Sequence, residues 1–346
     1  MGLKQSDPTF IIYLNGTRLS VEQEGAVKQV IINDRINVPS SCSIVLSDTA
    51  KMWMDDSSFE EGVGVSVHLG YKDDIDEVFN GEVVGMDVQF RKGAGTTTVV
   101  KCLNVIHRLR RVKKHRIFSE MTDGDIFNEI ASENGLSLDI DDIGGDKLFV
   151  IQKDITDYEF LLSAAMRYGC KLWAKEKKLF FKAENEENSE EIIVEWGKSL
   201  KDFSAQLDTS NIITEVSVTG WDNDKGESFT GTIAFGDVPP VGGSTLGGDS
   251  VESNFGAAAV SITDEKVLDQ SEAEKLALDM ISSNSFNFIR GNGACNGNFM
   301  IKAGCLLTVK EVGGKFSGEY LVEEARHVLN ASTGYTTYFS VMRNAC

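Results

Sequence analysis

The chain has 346 residues, of which 53 are acidic and 34 basic, and its formal net charge is −19. Such a charge repels DNA at long range, which argues against a basic DNA-binding module and leaves only a local patch for nucleic-acid contact. No run of about 18 apolar residues and no signal-peptide core occurs, so we expect synthesis and folding in the cytoplasm and no integral membrane segment. The length predicts two or three domains.

The first part of the chain is typical of short β-strands separated by turns. FIIYLNG (10–16) ends in an Asn-Gly turn signal, and VGVSVHL (63–69) has an apolar residue at every second position. A period of two is that of a strand with one buried side. We therefore predict a compact antiparallel barrel or sandwich in residues 1–110.

Helical patterns begin after a strongly basic run. The stretch 122–135 opens with capping-box spacing and ends at an Asn-Gly pair, and a second apolar stripe runs over 157–168. CKLWAKEKKLFFKA (170–183) has two apolar runs around a charged tip, which is the pattern of a hairpin. Residues 111–202 are thus predicted to form an α+β module.

Strand patterns return in residues 203–346. They are interrupted by an insertion at about 234–287, which contains the Gly-rich loop GDVPPVGGSTLGGD (236–249) and a helix over 271–282. Because the loop has no apolar period, we expect it to be mobile. The motif FSGE (316–319) also repeats the FNGE of 79–82 in a similar strand context, which predicts two similar β-barrels in one chain.

The sequence gives little support to catalysis. Its four histidines, His68, His107, His115 and His327, lie in no metal-binding pattern, and its six cysteines lack zinc-ligand spacing. We therefore predict no catalytic residue, no metal and no cofactor, mostly buried thiols, and hydrogen-bonded structural roles for His68 and His327. Glycoside hydrolysis by a pair of carboxylates remains an alternative, because a chain with 53 acidic residues brings some pair together in almost any fold. The alternative function is accordingly an envelope-acting carbohydrate-binding protein or glycoside hydrolase.

Two longer stretches carry a recognisable combination of patterns. In HRLRRVKKHRIFSEMTDGDIFNEIASENGL (107–136), a basic run leads into a helix that ends at Gly-Leu. FSGEYLVEEARHVLNASTGYTTYFSVMRN (316–344) contains F-x-G-x-Y-x-V, then a His, then G-Y-x-T-x-F and an Arg. Both resemble the phage late control gene D family, the baseplate hubs of contractile tails. That family is similar to the N-terminal hub part of VgrG, the spike protein of type VI secretion.

The resemblance implies a mainly β fold with two tube-like antiparallel β-barrel domains, 1–110 and 203–346, and a helix-containing module between them. Three such chains make a pseudo-sixfold ring that joins the hexameric tail tube to the trimeric spike and forms part of the conduit. The implied protein is a non-enzymatic homotrimer without a cofactor. Its partners are the first tail-tube ring, a separate spike protein and other baseplate proteins, and DNA or protein cargo passes through the lumen without stable nucleic-acid binding.

The same resemblance implies a place in the cell. The chain would be assembled in the bacterial cytoplasm as a component of the baseplate of a phage tail or a phage-tail-like injection particle, which can be released from the cell.

The basic run HRLRRVKKHR (107–116) places eight Arg, Lys or His residues in ten positions. Leu109 and Val112 are its only apolar residues, so we expect an exposed strand exit and not a buried element. Because arginine can grip carboxylates bidentately, its charges are candidates for the interface with a neighbouring subunit or the first tube ring. A solvated linker and a nucleic-acid contact remain alternatives. The six candidates are Arg108, Arg110, Arg111, Lys113, Lys114 and Arg116.

Overall fold

The computed structural model describes residues 7–93, 95–141, 146–168, 170–182, 191–222, 225–263, 267 and 269–346, without the side chains of 146–148. Antiparallel strands dominate these ranges and helices are few, which confirms the predicted mainly β fold class. None of the helices in these ranges has the length and apolar character needed to cross a membrane.

The secondary structure follows the chain from β1 to β21. The strands are β1 (Pro8–Leu14), β2 (Thr17–Arg18), β3 (Val27–Arg35), β4 (Val38–Ser47), β5 (Gly64–Tyr71), β6 (Asp74–Arg91), β7 (Gly95–Leu103), β8 (Lys113–Thr122), β9 (Ser137–Ile140), β10 (Asp146–Thr156), β11 (Lys171–Lys175), β12 (Lys178–Lys182), β13 (Ile192–Glu195), β14 (Leu200–Leu207), β15 (Glu215–Asp222), β16 (Glu227–Ala234), β17 (Ala259–Ile262), β18 (Ile289–Asn296), β19 (Leu306–Lys310), β20 (Gly318–Asn330) and β21 (Gly334–Arg343). The α-helices are α1 (Val21–Ala26), α2 (Asp123–Glu133), α3 (Asp157–Tyr168), α4 (Gly247–Phe255) and α5 (Gln270–Ser285). Short 3-10 helices lie at Trp53–Asp55, Ser57–Phe59, Val105–Arg110 and Phe235–Asp237.

The chain divides into two compact units. Unit 1 contains Met1–Glu187, Asn296–Lys302 and Ala325–Tyr338. Unit 2 contains Asn188–Cys295, Ala303–Glu324 and Phe339–Cys346. The long strands β20 and β21 therefore contribute residues to both units.

The sheet of unit 1 is built from an antiparallel series of neighbours, β3, β4, β7, β6, β5 and β1. The predicted alternation in β5 is confirmed, because Val65, Val67 and Leu69 are buried while Ser66 and His68 are only half-buried. The buried side chains join one apolar core, and burial of this kind is the main favourable term in folding.

The backbone of Leu103 lies so close to Gly81 that a methyl group added there should destabilise the fold. A Cβ added at Gly81 in β6 would lie 2.3 Å from the carbonyl oxygen of Leu103, whereas a Cβ at Gly85 on the same strand would meet nothing within 4 Å. Since overpacking of a well-packed site costs about 1–3 kcal/mol, Gly81→Ala should lower the free energy of unfolding by that amount. Urea denaturation measures it, with Gly85→Ala as the matched control; equal stabilities of the two variants would contradict the close approach.

Unit 1 also contains the helical module. The predicted first helix is α2, whose N-cap Thr122 accepts a hydrogen bond from the backbone N–H of Asp125 at 3.1 Å. The predicted second helix is α3, with the expected bounds, and β11 and β12 form the predicted hairpin. The apolar faces of both helices pack with the aromatic side chains of β8 and β12 in a second core.

Unit 2 has the neighbour order β14, β18, β21, β20 and β19, with β13 parallel to β19. The mobility of the Gly-rich loop stays a prediction, and the segment contains a 3-10 helix and the start of α4. The side-chain oxygen of Asn344 accepts a hydrogen bond from the N–H of Val241 at 2.7 Å, and its carbonyl accepts one from Gly247 at 2.9 Å. Hydrogen bonds to Asn344, a residue distant in sequence, therefore hold the Gly-rich segment, which has no apolar period of its own.

Candidate functional site

The basic run does not leave the first sheet as a strand exit. Val105–Arg110 forms a 3-10 helix, capped by Asn104, whose side-chain oxygen accepts a hydrogen bond from the N–H of Ile106 at 3.1 Å. Leu109 is only 1% exposed. The expectation of an exposed, unburied segment is therefore wrong at this residue, because an apolar side chain once per helical turn is enough to anchor a charged segment to the module core.

Arg108 forms an internal ion pair with Glu82. The carboxylate of Glu82, which is buried, accepts a hydrogen bond from Nε of Arg108 at 2.8 Å and lies 2.7 Å from Nε2 of His107, and Nη2 of Arg108 also contacts it. Burial alone would raise the pKa of Glu82, but the hydrogen bonds from Arg108 and His107 outweigh it, so the pKa lies below its usual value. Glu82 is thus held ionised and is a poor general acid.

Lys114 and Arg116 also form internal ion pairs, in both cases with Asp157, the buried first residue of α3. Lys114 Nζ lies 2.7 Å from one oxygen of Asp157, and Arg116 Nη2 lies 2.8 Å from the other. Both cations also reach Glu133, at 2.9 Å and 2.6 Å respectively. Gln152 and Asn134 each donate a further hydrogen bond to Asp157 at 3.0 Å.

This ion-pair network sets the protonation of Asp157. Burial would raise the pKa of its carboxyl, but the hydrogen bonds from Lys114, Gln152 and Asn134 prevail and lower it. The network joins residues of β8, β10, α2 and α3, in which Lys114 and Arg116 compensate the buried charge of Asp157, so the loss of one partner would leave a charge uncompensated inside the module.

The other three candidates remain at the surface. Arg110, Arg111 and Lys113 are exposed, and the guanidinium of Arg110 lies 5.5 Å from the ring centre of Tyr158. Of the six predicted interface residues, the structure therefore leaves these three accessible and places Arg108, Lys114 and Arg116 in internal ion pairs.

The strand register of β8 and β10 creates a surface that sequence reasoning missed. In this two-stranded sheet, Ile117 lies opposite Ile151, Ser119 opposite Phe149, and His115 opposite Lys153. Ile117 is 64%, Phe149 62% and Ile151 47% exposed. We call this surface, formed by Lys113, His115, Ile117, Phe149, Ile151 and Lys153, the ribbon face. The alternation of Lys113, His115 and Ile117 with Lys114, Arg116 and Phe118 was its one signal in the sequence.

One polar cluster in unit 1 contains the residue types of a nucleophilic triad. Ser66 Oγ donates to Glu77 at 2.7 Å and lies 3.0 Å from Nε2 of His68, and that same nitrogen is 4.0 Å from Glu77. The cluster borders a cleft of about 370 Å³. In a triad the imidazole contacts the nucleophile and the acid through opposite ring nitrogens, so this arrangement is not one.

The remaining predicted histidine and cysteine roles can be placed in the structure. His327 is fully buried, with Nε2 3.0 Å from the carbonyl of Ile301 and Nδ1 2.8 Å from the hydroxyl of Tyr335, which confirms a structural histidine. Cys42 and Cys102 lie opposite each other on β4 and β7, and burial raises the pKa of both thiols, that of Cys102 to about 12. Across the described ranges, no group of three or more His, Cys, Asp or Glu residues is arranged to hold a metal ion.

Comparison by sequence finds a family model that covers most of the chain. The family model described as the Alg8 N-terminal domain matches residues 4–331. No curated protein matches this chain by sequence.

Comparison by structure finds the same fold in tail proteins. The 43 kDa tail protein of prophage MuSo2 from Shewanella oneidensis is 14% identical, with a TM-score of 0.70 over 97% of this chain and 98% of that one. A tail protein of Neisseria meningitidis is 13% identical, with a TM-score of 0.69 over 97% and 96% of the two chains. An Escherichia coli component of the type VI secretion system, itself similar to tail proteins of bacteriophage T4, is 10% identical, with a TM-score of 0.59 over 96% and 77%. At these identities the similarity establishes a tail-protein fold.

Proposed function

The chain belongs to the family of the Alg8 N-terminal domain, and we propose that it is a structural subunit of the baseplate hub of a contractile tail or a related injection particle. The observation that carries the proposal is the fold, which matches a tail protein over 97% of this chain and 98% of the other. A match of that extent leaves little of the chain outside the shared architecture, so a role in a tail assembly accounts for nearly all of it.

The hub works as a symmetry adaptor in this proposal. Unit 1, which includes the helical module, and unit 2 each supply one tube-like barrel domain in this proposal, and three chains then give six barrel surfaces. A homotrimer can then join a sixfold tail tube to a threefold spike without another gene product. The partners are the first tube ring, a separate spike protein and other baseplate proteins, and the ring forms part of the conduit for DNA or protein cargo.

The proposed protein is not an enzyme. Two features support this: Glu82, which lines the cleft of unit 1, is held ionised by Arg108 and His107, and Ser66, His68 and Glu77 are not arranged as a triad. If the alternative, an envelope-acting glycoside hydrolase, were right, the purified chain would release reducing ends from cell-wall glycans, and Glu77→Gln would abolish the release.

Deletion of the gene tests the proposal in the organism that encodes the chain. Without the hub, we expect no complete sheathed particles by negative-stain electron microscopy, because the tube has no ring on which to start. A plasmid copy of the wild-type gene should restore them. Normal particles from the deletion strain would contradict the proposal.

A further inference from the structure

The ribbon face has the composition of an interface centre. Three large apolar side chains, Ile117, Phe149 and Ile151, lie together on one side of the β8–β10 ribbon and are about half or more exposed. Lys113, His115 and Lys153 follow them at one end of the ribbon, where the carboxylate of Asp154 lies 3.5 Å from Nδ1 of His115. An apolar patch bordered by charged residues is common in protein–protein interfaces, and an exposed patch of this kind marks an interaction site more often than a random surface.

The opposite side of the ribbon holds it in place. Arg116 Nε donates to Gln152 Oε1 at 2.8 Å, and Phe118 is buried in the module core. Together with the Asp157 network, these contacts hold the backbone of both strands in the unbound chain. A preorganised surface loses less conformational entropy on binding than a mobile one.

Unit 1 also carries a surface of complementary character. Gln23 of α1 donates hydrogen bonds to Asp56 at 3.1 Å and to Ser58 at 3.0 Å, which holds α1 beside the segment 52–61. We call the surface formed by Val21, Glu22, Met52, Asp55, Glu60 and Glu61 the acidic face. Val21 is 86% and Met52 53% exposed, and all four carboxylates are exposed.

We propose that the ribbon face of one copy of the chain docks on the acidic face of the next copy, and that this head-to-tail contact holds the trimer together. The inference rests on the proposed function, which requires three copies. Two different faces that fit each other give a heterologous contact, and a heterologous contact can close into a ring of three, whereas a face that fits itself gives a dimer. In this contact Lys113 and Lys153 of the ribbon face lie against carboxylates of the acidic face. The pairing places positive charge against the excess negative charge of a chain whose net charge is −19.

Charge reversal on both faces tests this pairing. Lys113→Glu with Lys153→Glu places like charges against the acidic face, and Glu60→Lys with Glu61→Lys does so from the other side. Since like charges across an interface cost several kcal/mol, each pair of substitutions should raise the dissociation constant of the trimer at least about tenfold. A chain carrying all four substitutions should recover trimers in part, because the substituted positions on the two faces are then opposite in sign again while Glu22 and Asp55 keep their negative charge. Native mass spectrometry at physiological salt measures the trimer fraction.

The controls separate this inference from the proposed function. Lys225→Glu changes an exposed lysine outside both faces and should leave the trimer intact, and thermal melting shows that each variant is folded. If the wild-type chain forms trimers and both reversals leave them unchanged, the location of the interface is wrong. Failure of the fourfold variant to recover would overturn the pairing of the two faces. A wild-type chain that never forms trimers contradicts the proposed function itself.

Discussion

Replacement of Asp157 by alanine is expected to lower the free energy of unfolding by about 3–5 kcal/mol, the usual cost of removing one partner from a buried ion pair. The carboxylate accepts hydrogen bonds from Lys114, Arg116, Gln152 and Asn134. Its loss leaves two cations near a buried position with only Glu133 to compensate them. Chemical denaturation at pH 7 measures the change.

A nearby surface carboxylate provides the control for this effect. Asp154 precedes α3 by three residues, is exposed, and lies 3.5 Å from the exposed ring of His115. The backbone φ of Asp154 is 54°, a left-handed conformation that asparagine tolerates and alanine does not, so the control is Asp154→Asn. Because exposed pairs contribute about 0–1 kcal/mol, Asp154→Asn should change stability little. An Asp157→Ala variant as stable as Asp154→Asn would show that the network does not hold the module together.

Acidification should destabilise the fold through His327. Burial, the largest cause, lowers the pKa of this imidazole to about 4, against about 6.5 in the unfolded chain. Between these two values the unfolded chain binds the proton more tightly, so stability is fully present above about pH 6.5 and falls as the pH drops to about 4. The loss over this window is on the order of 3 kcal/mol.

Comparison with a variant that cannot titrate isolates this histidine. In His327→Gln the side chain has no proton to gain, so its unfolding free energy should fall less than that of the wild type between pH 7 and pH 4. If the unfolding free energies of the wild type and of His327→Gln fall equally between pH 7 and pH 4, the pKa of His327 is not lowered by burial.

The elements with local signals could be predicted from the sequence. Both helices of the module have their caps and apolar stripes within about a dozen consecutive residues, so α2 and α3 were predicted almost to the residue. The alternation in β5 likewise reports its buried side directly. His327 could be assigned a structural role because it lies in a strand pattern without a partner motif.

The features that depend on distant partners could not be predicted. Whether a basic residue of 107–116 is internal or exposed depends on Glu82 and Asp157, which lie about 25 to 45 residues away and are two of many carboxylates. The ribbon face depends on the register of β10 against β8, which no local pattern gives. The hydrogen bonds of the Gly-rich segment likewise depend on Asn344, about a hundred residues later.

We propose that three copies of this chain form a hub ring between a tail tube and a spike. Native mass spectrometry of the chain, alone and mixed with candidate tube and spike proteins from the same genome, measures the number of copies. The expected result is a homotrimer of about 114 kDa, three times the chain mass of 37.9 kDa. A chain that remains monomeric in the presence of both partners would contradict it.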